Sequence, residues 1–280
     1  MRVKDLLKKT PSTKSENIDK RINVLIFSLV LLFCGYFYSN GGWSQVSRYD
    51  AVFSFVENES KDFLSFRIDR FIISPERNLN TGDWARHDGH YYSNKAPGVI
   101  ILGVLAYFPI YYTERIFVEA PFSPKLDFAN AYIINLLLSG LLLALATVYF
   151  RKMLTAIGLS RTRSVIFSLI LALCTPLFPY ANSLWGHTTS TAFIIFALYH
   201  LVQRKNINLF FAGFFIGIAV NCDYMTGVYA VTFTAFAVWR ERSKVLFFLA
   251  GGLAPLLLFM WYHWICFGSP LSLATLSNNP

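Results

Sequence analysis

The sequence predicts an all-α polytopic membrane protein, and three observations carry that prediction. Of 280 residues, 55% are hydrophobic and 17% aromatic but only 15% charged, and the mean hydropathy is +0.45. A soluble domain of this size carries far more charge. The apolar residues gather in runs of helical length, and the lysines and arginines gather in the short breaks between them. The net charge of +9 therefore marks cytoplasmic loops, and no nucleic-acid partner is expected.

The elements follow in order. Residues 1–21 form a basic tail, in which Arg2, Lys4, Lys8, Lys9, Lys14, Lys20 and Arg21 outweigh Asp5, Glu16 and Asp19. That excess keeps the N-terminus in the cytoplasm. Residues 22–39, built on the apolar run Ile22–Tyr38, make the first span. No small-x-small cleavage site follows, and Tyr36, Tyr38 and Trp43 suit an interfacial aromatic belt, so the segment reads as a retained anchor. Residues 40–127 are then extracytoplasmic.

Six further runs make a six-helix transmembrane bundle over residues 128–267: Phe128–Phe150, Ser164–Tyr180, His187–Val202, Ile207–Val220, Tyr224–Trp239 and Val245–Phe267. Arg151, Lys152, Arg161 and Arg163 fall in one break, Arg204 and Lys205 in a second, and Arg240, Arg242 and Lys244 in a third. All three belong on the cytoplasmic side. The breaks at Asn182–Gly186 and Asn221–Asp223 hold no lysine or arginine and belong outside. Residues 268–280 form an extracytoplasmic tail.

One run breaks the alternation. If Val99–Tyr112 crossed the membrane, each basic break would be turned outward. The run is also only fourteen residues long, where a span needs about 20. It is followed by Glu114, Arg115 and Glu119 and the proline-punctuated stretch Ala120–Lys125. An interfacial or re-entrant helix near 97–113 is the expectation, leaving about seven spans.

The long outer segment is the one extended polar region. Ala51–Val56 is expected to begin a short amphipathic helix on the membrane surface. Leu64, Phe66, Ile68 and Ile72 hint at a strand, and the Asp-Gly step in "HDGHYY" is of the hairpin-turn type. Cys34, Cys174, Cys222 and Cys266 lack metal-ligand spacing and read as core residues. His200 and His263, beside aromatics at span ends, read as structural.

An acidic residue soon after the first span, in "SRYDAVFSFVE", precedes an outer segment that ends in "YYSNKAPG" before a short apolar helix. This pattern resembles the GT-C superfamily of membrane glycosyltransferases. The likeness is to the bacterial branch similar to dolichyl-phosphate-mannose protein mannosyltransferases, which includes the lipid A aminoarabinose transferase and carries a "YY-x-x-K-P-P" step. Here Ala96 stands where that branch has its first proline. "DWARHDGHYYSNKAPG", "LWGHTTSTAF" and "FGSPLS" resemble further segments of uncharacterised bacterial members. The resemblance implies a GT-C-like module of about seven transmembrane helices whose first outer loop carries juxtamembrane helices. The chain's stop at "SLATLSNNP" then reads as a truncated or minimal form.

The implied chemistry is transfer of a sugar, with inversion, from a polyprenyl-phosphate donor to a glycan, lipid or protein acceptor outside a bacterial cytoplasmic membrane. Such a reaction needs a carboxylate for the acceptor's proton, cations for the departing phosphate and a groove for lipid. By resemblance Asp50 is the base; alternatively it caps a helix beginning at Ala51. Lys95 and Arg48 are assigned to the donor phosphate, with headgroup contact as the plainer role for Lys95. Pro97 sets the chain direction at the helix start and so sets where Lys95 points.

Asp88, His90, Tyr91 and Tyr92 are candidates for the acceptor pocket, against a reading in which Asp88-Gly89 turns a hairpin and the tyrosines sit at the interface. Asp83, Asp88 and His90 offer donors for a divalent cation, but no spaced ligand set repeats in the segment, so no metal site is assigned. His187 and Asp223 lie at two outer span ends, where they either assist the base or phosphate or simply meet water. A lipid or solute transporter and a non-catalytic partner subunit are the competing classes; neither internal repeats nor strong midplane charges favour transport. Walker, Rossmann, triad and zinc motifs are absent, which leaves ATP, nicotinamide and serine-hydrolase chemistry without support.

Overall fold

A computed structural model describes residues 13–57, 65–73, 79–118, 124–203, 205–240 and 242–272. The chain opens with α1 (Thr13–Tyr36) and α2 (Trp43–Val56), then a short α3 (Asp69–Ile73) and the hairpin β1 (Trp84–His87) with β2 (His90–Ser93). Next come α4 (Pro97–Phe117) and α5 (Pro124–Asn135), which runs through a π turn at Leu136–Gly140 into α6 (Leu141–Ala156). The rest is α7 (Arg161–Leu173), α8 (Leu177–Ala181), α9 (Gly186–Leu201), α10 (Asn206–Cys222), α11 (Gly227–Arg240) and α12 (Val245–Phe267).

Among the described residues, three helical stretches are long and apolar enough to cross a membrane: Pro97–Phe117, Lys125–Ala156 and Arg242–Phe267. Asn206–Cys222 is apolar but has only 17 residues. Their outer faces carry large apolar side chains, among them Leu105, Phe108, Leu246 and Trp264. A greasy exterior is the expected solvent-facing surface when the solvent is lipid, and a mostly helical chain with three such stretches is compatible with an all-α membrane protein.

Several expectations need revision. The apolar run after Lys95 is not a fourteen-residue helix: the turn through Thr113-Glu114-Arg115 continues it to 21 residues, so its length no longer argues against crossing. Pro97 does stand at the first position of that helix, as expected. The run Ser164–Tyr180 is divided, because α7 ends at Leu173 and Pro176, which lacks a donor N–H, precedes the separate turn of α8. α2 starts eight residues before Ala51, is capped by Gly42 and is buried on most sides, so it is no surface helix. Cys34, Cys222 and Cys266 are buried, whereas Cys174 is exposed at the end of α7.

In the 64–72 stretch no strand forms among the described residues. Phe66 and Ile68 are buried in an extended segment whose Ile68 N–H donates to Tyr91 O at 2.8 Å, and α3 follows; Leu64 lies outside the described residues. The hairpin is as expected: Asp88 and Gly89 link His87 to its partner His90, with φ of +48° and +82°. Two successive positive φ values are what a two-residue hairpin loop requires, and glycine meets the second without strain.

Two contacts organise the bundle. α10 and α12 cross so closely that a Cβ on Gly213 would lie 1.8 Å from Phe248 O, and one on Gly251 would lie 1.9 Å from Phe210 O. Small residues let helices pack where lipid is as apolar as leucine and burial alone gives little drive. At the end of the bundle where α1 begins, Asp19 receives Arg151 Nη2 at 2.5 Å and Arg161 Nε at 3.0 Å, and Arg151 Nη1 donates to Asn23 at 2.5 Å. The π turn carries its own satisfaction: the Leu138 carbonyl accepts Thr189 Oγ1 from α9 at 3.1 Å.

Candidate functional site

The opposite end of the bundle collects the charged groups. α2 positions the first of them. Its 14-residue length puts Asp50 in mid-helix, so the helix-cap reading of Asp50 is set aside: Gly42 is the cap, and its N–H donates to Gln45 Oε1 at 2.8 Å. Asp50 is 0% exposed. Ser47 lies three residues earlier, on the same helical face. Ser47 Oγ donates to Asp83 O at 2.6 Å and sits 2.7 Å from Ser93 Oγ, which accepts the Lys95 N–H at 3.3 Å. With its own proton given to Asp83 O, Ser47 Oγ is the acceptor from Ser93. The hairpin's end and Lys95 are thereby fastened to α2, and Lys95 Nζ pairs with Asp83 Oδ2 at 2.9 Å.

Arg48 stands beside this group. Its Nη1 donates to Ser44 O at 2.7 Å and to Ser44 Oγ at 2.9 Å. Burial holds the guanidinium below its ordinary value, at about 10, against the opposing charges of Asp223 and Asp83. Gly186, the first residue of α9, makes the approach feasible: a Cβ there would lie 2.3 Å from Cys222 O and 3.7 Å from Arg48 Nη2. Gly98 plays the same part for α4, since its Cβ would meet Cys222 N at 2.6 Å. The starts of α4 and α9 thus converge on the end of α10.

That convergence brings His187 and Asp223 together. His187 Nδ1 lies 2.7 Å from Asp223 Oδ2. Asp223 also accepts the Met225 N–H at 3.1 Å, capping the 3₁₀ turn that leads into α11. Its carboxyl is held below the ordinary value of 3.8, first by the His187 hydrogen bond and then, against the cost of burial, by Met225 N–H and the Arg48 charge. The imidazole is stacked on Trp185, with ring centres 5.7 Å apart and planes at 15°, and Tyr180 meets it edge-on at 5.0 Å. Both partners border a cavity of about 280 Å³ that is also lined by Ser190, Thr191, Thr226 and Tyr229, with Ile194 and Met225 as its apolar wall.

Arg48 thus lies within electrostatic reach of both Asp83, the partner of Lys95, and Asp223, the partner of His187. Asp88, His90 and Tyr92 take other places. Asp88 is the hairpin turn, 3.4 Å from His87 Nε2 and largely exposed. His90 Nδ1 is 2.8 Å from Asp69 Oδ2, and Asp69 Oδ1 also accepts the Tyr91 N–H at 2.6 Å. Tyr92 is buried against Phe267, ring centres 5.5 Å apart. Among the described residues no three His, Cys, Asp or Glu side chains come together to hold a metal ion. His200 and His263 have internal partners: His200 Nδ1 is 3.1 Å from Asn208 Oδ1, and the buried His263 meets Phe259 O at 2.8 Å and Tyr224 Oη at 3.0 Å.

Sequence reading missed Ser47, Ser93 and the hydroxyls of the cavity. The polar triplet Thr188-Thr189-Ser190 opening an apolar helix was a usable signal for Ser190; Tyr229, the third residue of α11, had none. Compared with protein-family models, with curated proteins and with solved structures, the chain matches none.

Proposed function

We propose that the chain is a glycosyltransferase of a bacterial cytoplasmic membrane, moving a sugar from a polyprenyl-phosphate donor to an extracytoplasmic acceptor. The observation that carries this reading is the convergence of Arg48, Lys95 and the His187–Asp223 pair at the bundle end away from the basic breaks. A departing phosphate needs cations that water does not screen. Arg48 is 7% exposed and Lys95 only partly exposed, so each presents charge in a poorly hydrated place. An incoming phosphate competes with Asp83 for Lys95 and offers Arg48 charge-assisted hydrogen bonds in place of the hydration that burial removes. The cavity beside the His187–Asp223 pair offers hydroxyls, an imidazole and a carboxylate over an apolar wall of Ile194 and Met225, a mixture that suits a ligand with hydroxyl groups on an apolar ring face.

The test is a transfer assay in proteoliposomes with a panel of radiolabelled polyprenyl-phosphate sugars and crude envelope acceptor. Label reaching acceptor with the wild type, and falling with Arg48→Met, supports the reaction class. If the protein is folded and inserted yet consumes no donor, the transferase reading fails. Movement of labelled donor across the bilayer without transfer would indicate a transporter instead.

A further inference from the structure

We propose that His187, positioned by Asp223, takes the proton of the acceptor hydroxyl, and that Asp50 does not. The proposal rests on the transferase reading above. Resemblance assigns the proton to the acidic residue after the first span, but a general base must reach the proton it removes. Asp50 is 0% exposed inside α2. The His187 side chain is 49% exposed and lies on the wall of the 280 Å³ cavity.

The geometry is that of a base held by an orienting carboxylate. With Nδ1–H donating to Asp223 Oδ2 over 2.7 Å, Nε2 carries the lone pair. Asp223 is itself fixed by the Met225 N–H at 3.1 Å, and its side chain is 17% exposed, so its direction is set by the protein rather than by water. Trp185, stacked on the ring, and Tyr180, edge-on to it, are also in contact with each other at 5.4 Å and together form an aromatic wall against the imidazole. The nearest other titratable groups are Arg48 from α2, whose Nη2 would lie 3.7 Å from a Cβ on the neighbouring Gly186, and Tyr229 from α11, which lines the same cavity. The cavity lies just below the ~300–1,000 Å³ typical of drug-sized ligand sites, which suits one sugar ring or one acceptor headgroup.

In the step itself the acceptor oxygen bonds to the anomeric carbon while the bond from that carbon to the phosphate oxygen breaks. The bond's electron pair leaves with the polyprenyl phosphate, which becomes a monoester. The acceptor's proton passes to His187 Nε2. The imidazolium so formed is stabilised by the Asp223 carboxylate and later releases its proton to water.

The experiment measures kcat and donor KM between pH 5 and 9 in proteoliposomes, using the donor that the wild type consumes. Wild type, His187→Asn, Asp223→Asn and Asp50→Asn are compared after size-exclusion confirms that each is folded. His187→Asn keeps an amide able to meet Asp223. The expected result is a rise of kcat with pH in the wild type that His187→Asn abolishes, with kcat down about 10²–10⁴-fold and donor KM within about threefold. Asp223→Asn should lower kcat with donor KM little changed, and Asp50→Asn should keep the rise in place. Added imidazole restoring turnover to His187→Gly is a second expected result. A His187 variant with the wild-type pH profile, or an Asp50 variant that alone loses the rise, overturns the proposal while leaving the transferase reading intact. A wild type that consumes no donor overturns both.

Discussion

His187 Nδ1 and Asp223 Oδ2 are 2.7 Å apart although 36 positions separate them in the chain. The contact exists because α9 begins where α10 ends, and because Gly186 lets the two termini touch. It links a charge at each helix end to the cavity between α9 and α11 and gives a pH-dependent signature.

The Asp223 carboxyl titrates below its ordinary value of 3.8 when folded, chiefly through His187. Its contribution to stability is therefore complete above the unfolded value and is lost as pH falls below about 3.8 through the folded one. Thermal unfolding in detergent between pH 2.5 and 6 should show less acid destabilisation for Asp223→Asn than for wild type. In His187→Asn, which removes the largest cause of the depression, the acid loss should likewise be smaller than in wild type.

Lys95→Met separates function from stability. The Lys95–Asp83 pair is partly exposed, at 20% and 32%, and pairs of that kind are worth about 0–1 kcal/mol. The melting temperature should barely move. Under the transferase reading the donor KM should rise about tenfold, the value of one charge-assisted hydrogen bond of about 1.5 kcal/mol.

Gly213→Ala should be among the most damaging single changes. Its new methyl would lie 1.8 Å from Phe248 O, a backbone atom that yields only if α10 and α12 part. A loss of about 1–3 kcal/mol is expected. Gly227→Ala is the control: nothing lies within 4 Å of its Cβ position, and it should be neutral or stabilising by up to about 1 kcal/mol. Unfolding in graded denaturing detergent distinguishes the two.

Asp19→Asn should loosen α1 from α6 and α7. Arg151 is 2% exposed and keeps only Asn23 among the side-chain partners named above once the carboxylate is gone. Stranding a buried cation costs about 3–5 kcal/mol; because Asp19 is one-third exposed, the expected loss is about 2–3 kcal/mol. Asp19 also titrates below 3.8, first through the Arg161 hydrogen bond. The same stabilisation should thus disappear from wild type as pH falls through that depressed value.

The parts legible beforehand share one property: each depends on neighbours in sequence. The Asp88-Gly89 turn was readable because two adjacent residues set the φ values it needs. Pro97 at the head of α4 was readable because its ring fixes φ and lacks a donor. The extent of α2 was not, since its start depends on Gly42 and Gln45 closing a cap and on a face buried against α4 and the hairpin. The end of α4 was misjudged because Thr113, Glu114 and Arg115 look like loop residues, yet Asn130 Nδ2 reaches Glu114 from α5 at 3.2 Å.

By itself the sequence determined the helical, strongly apolar character of the chain and which residue types were available for chemistry, because hydropathy, charge and turn preference are properties of short stretches. Only the tertiary structure decided which of those residues meet. It enclosed Asp50 within α2 and set His187 against Asp223. The reason is physical: contact between distant side chains is fixed by how closely backbones can pack, and here glycines at 98, 186, 213 and 251 set those distances.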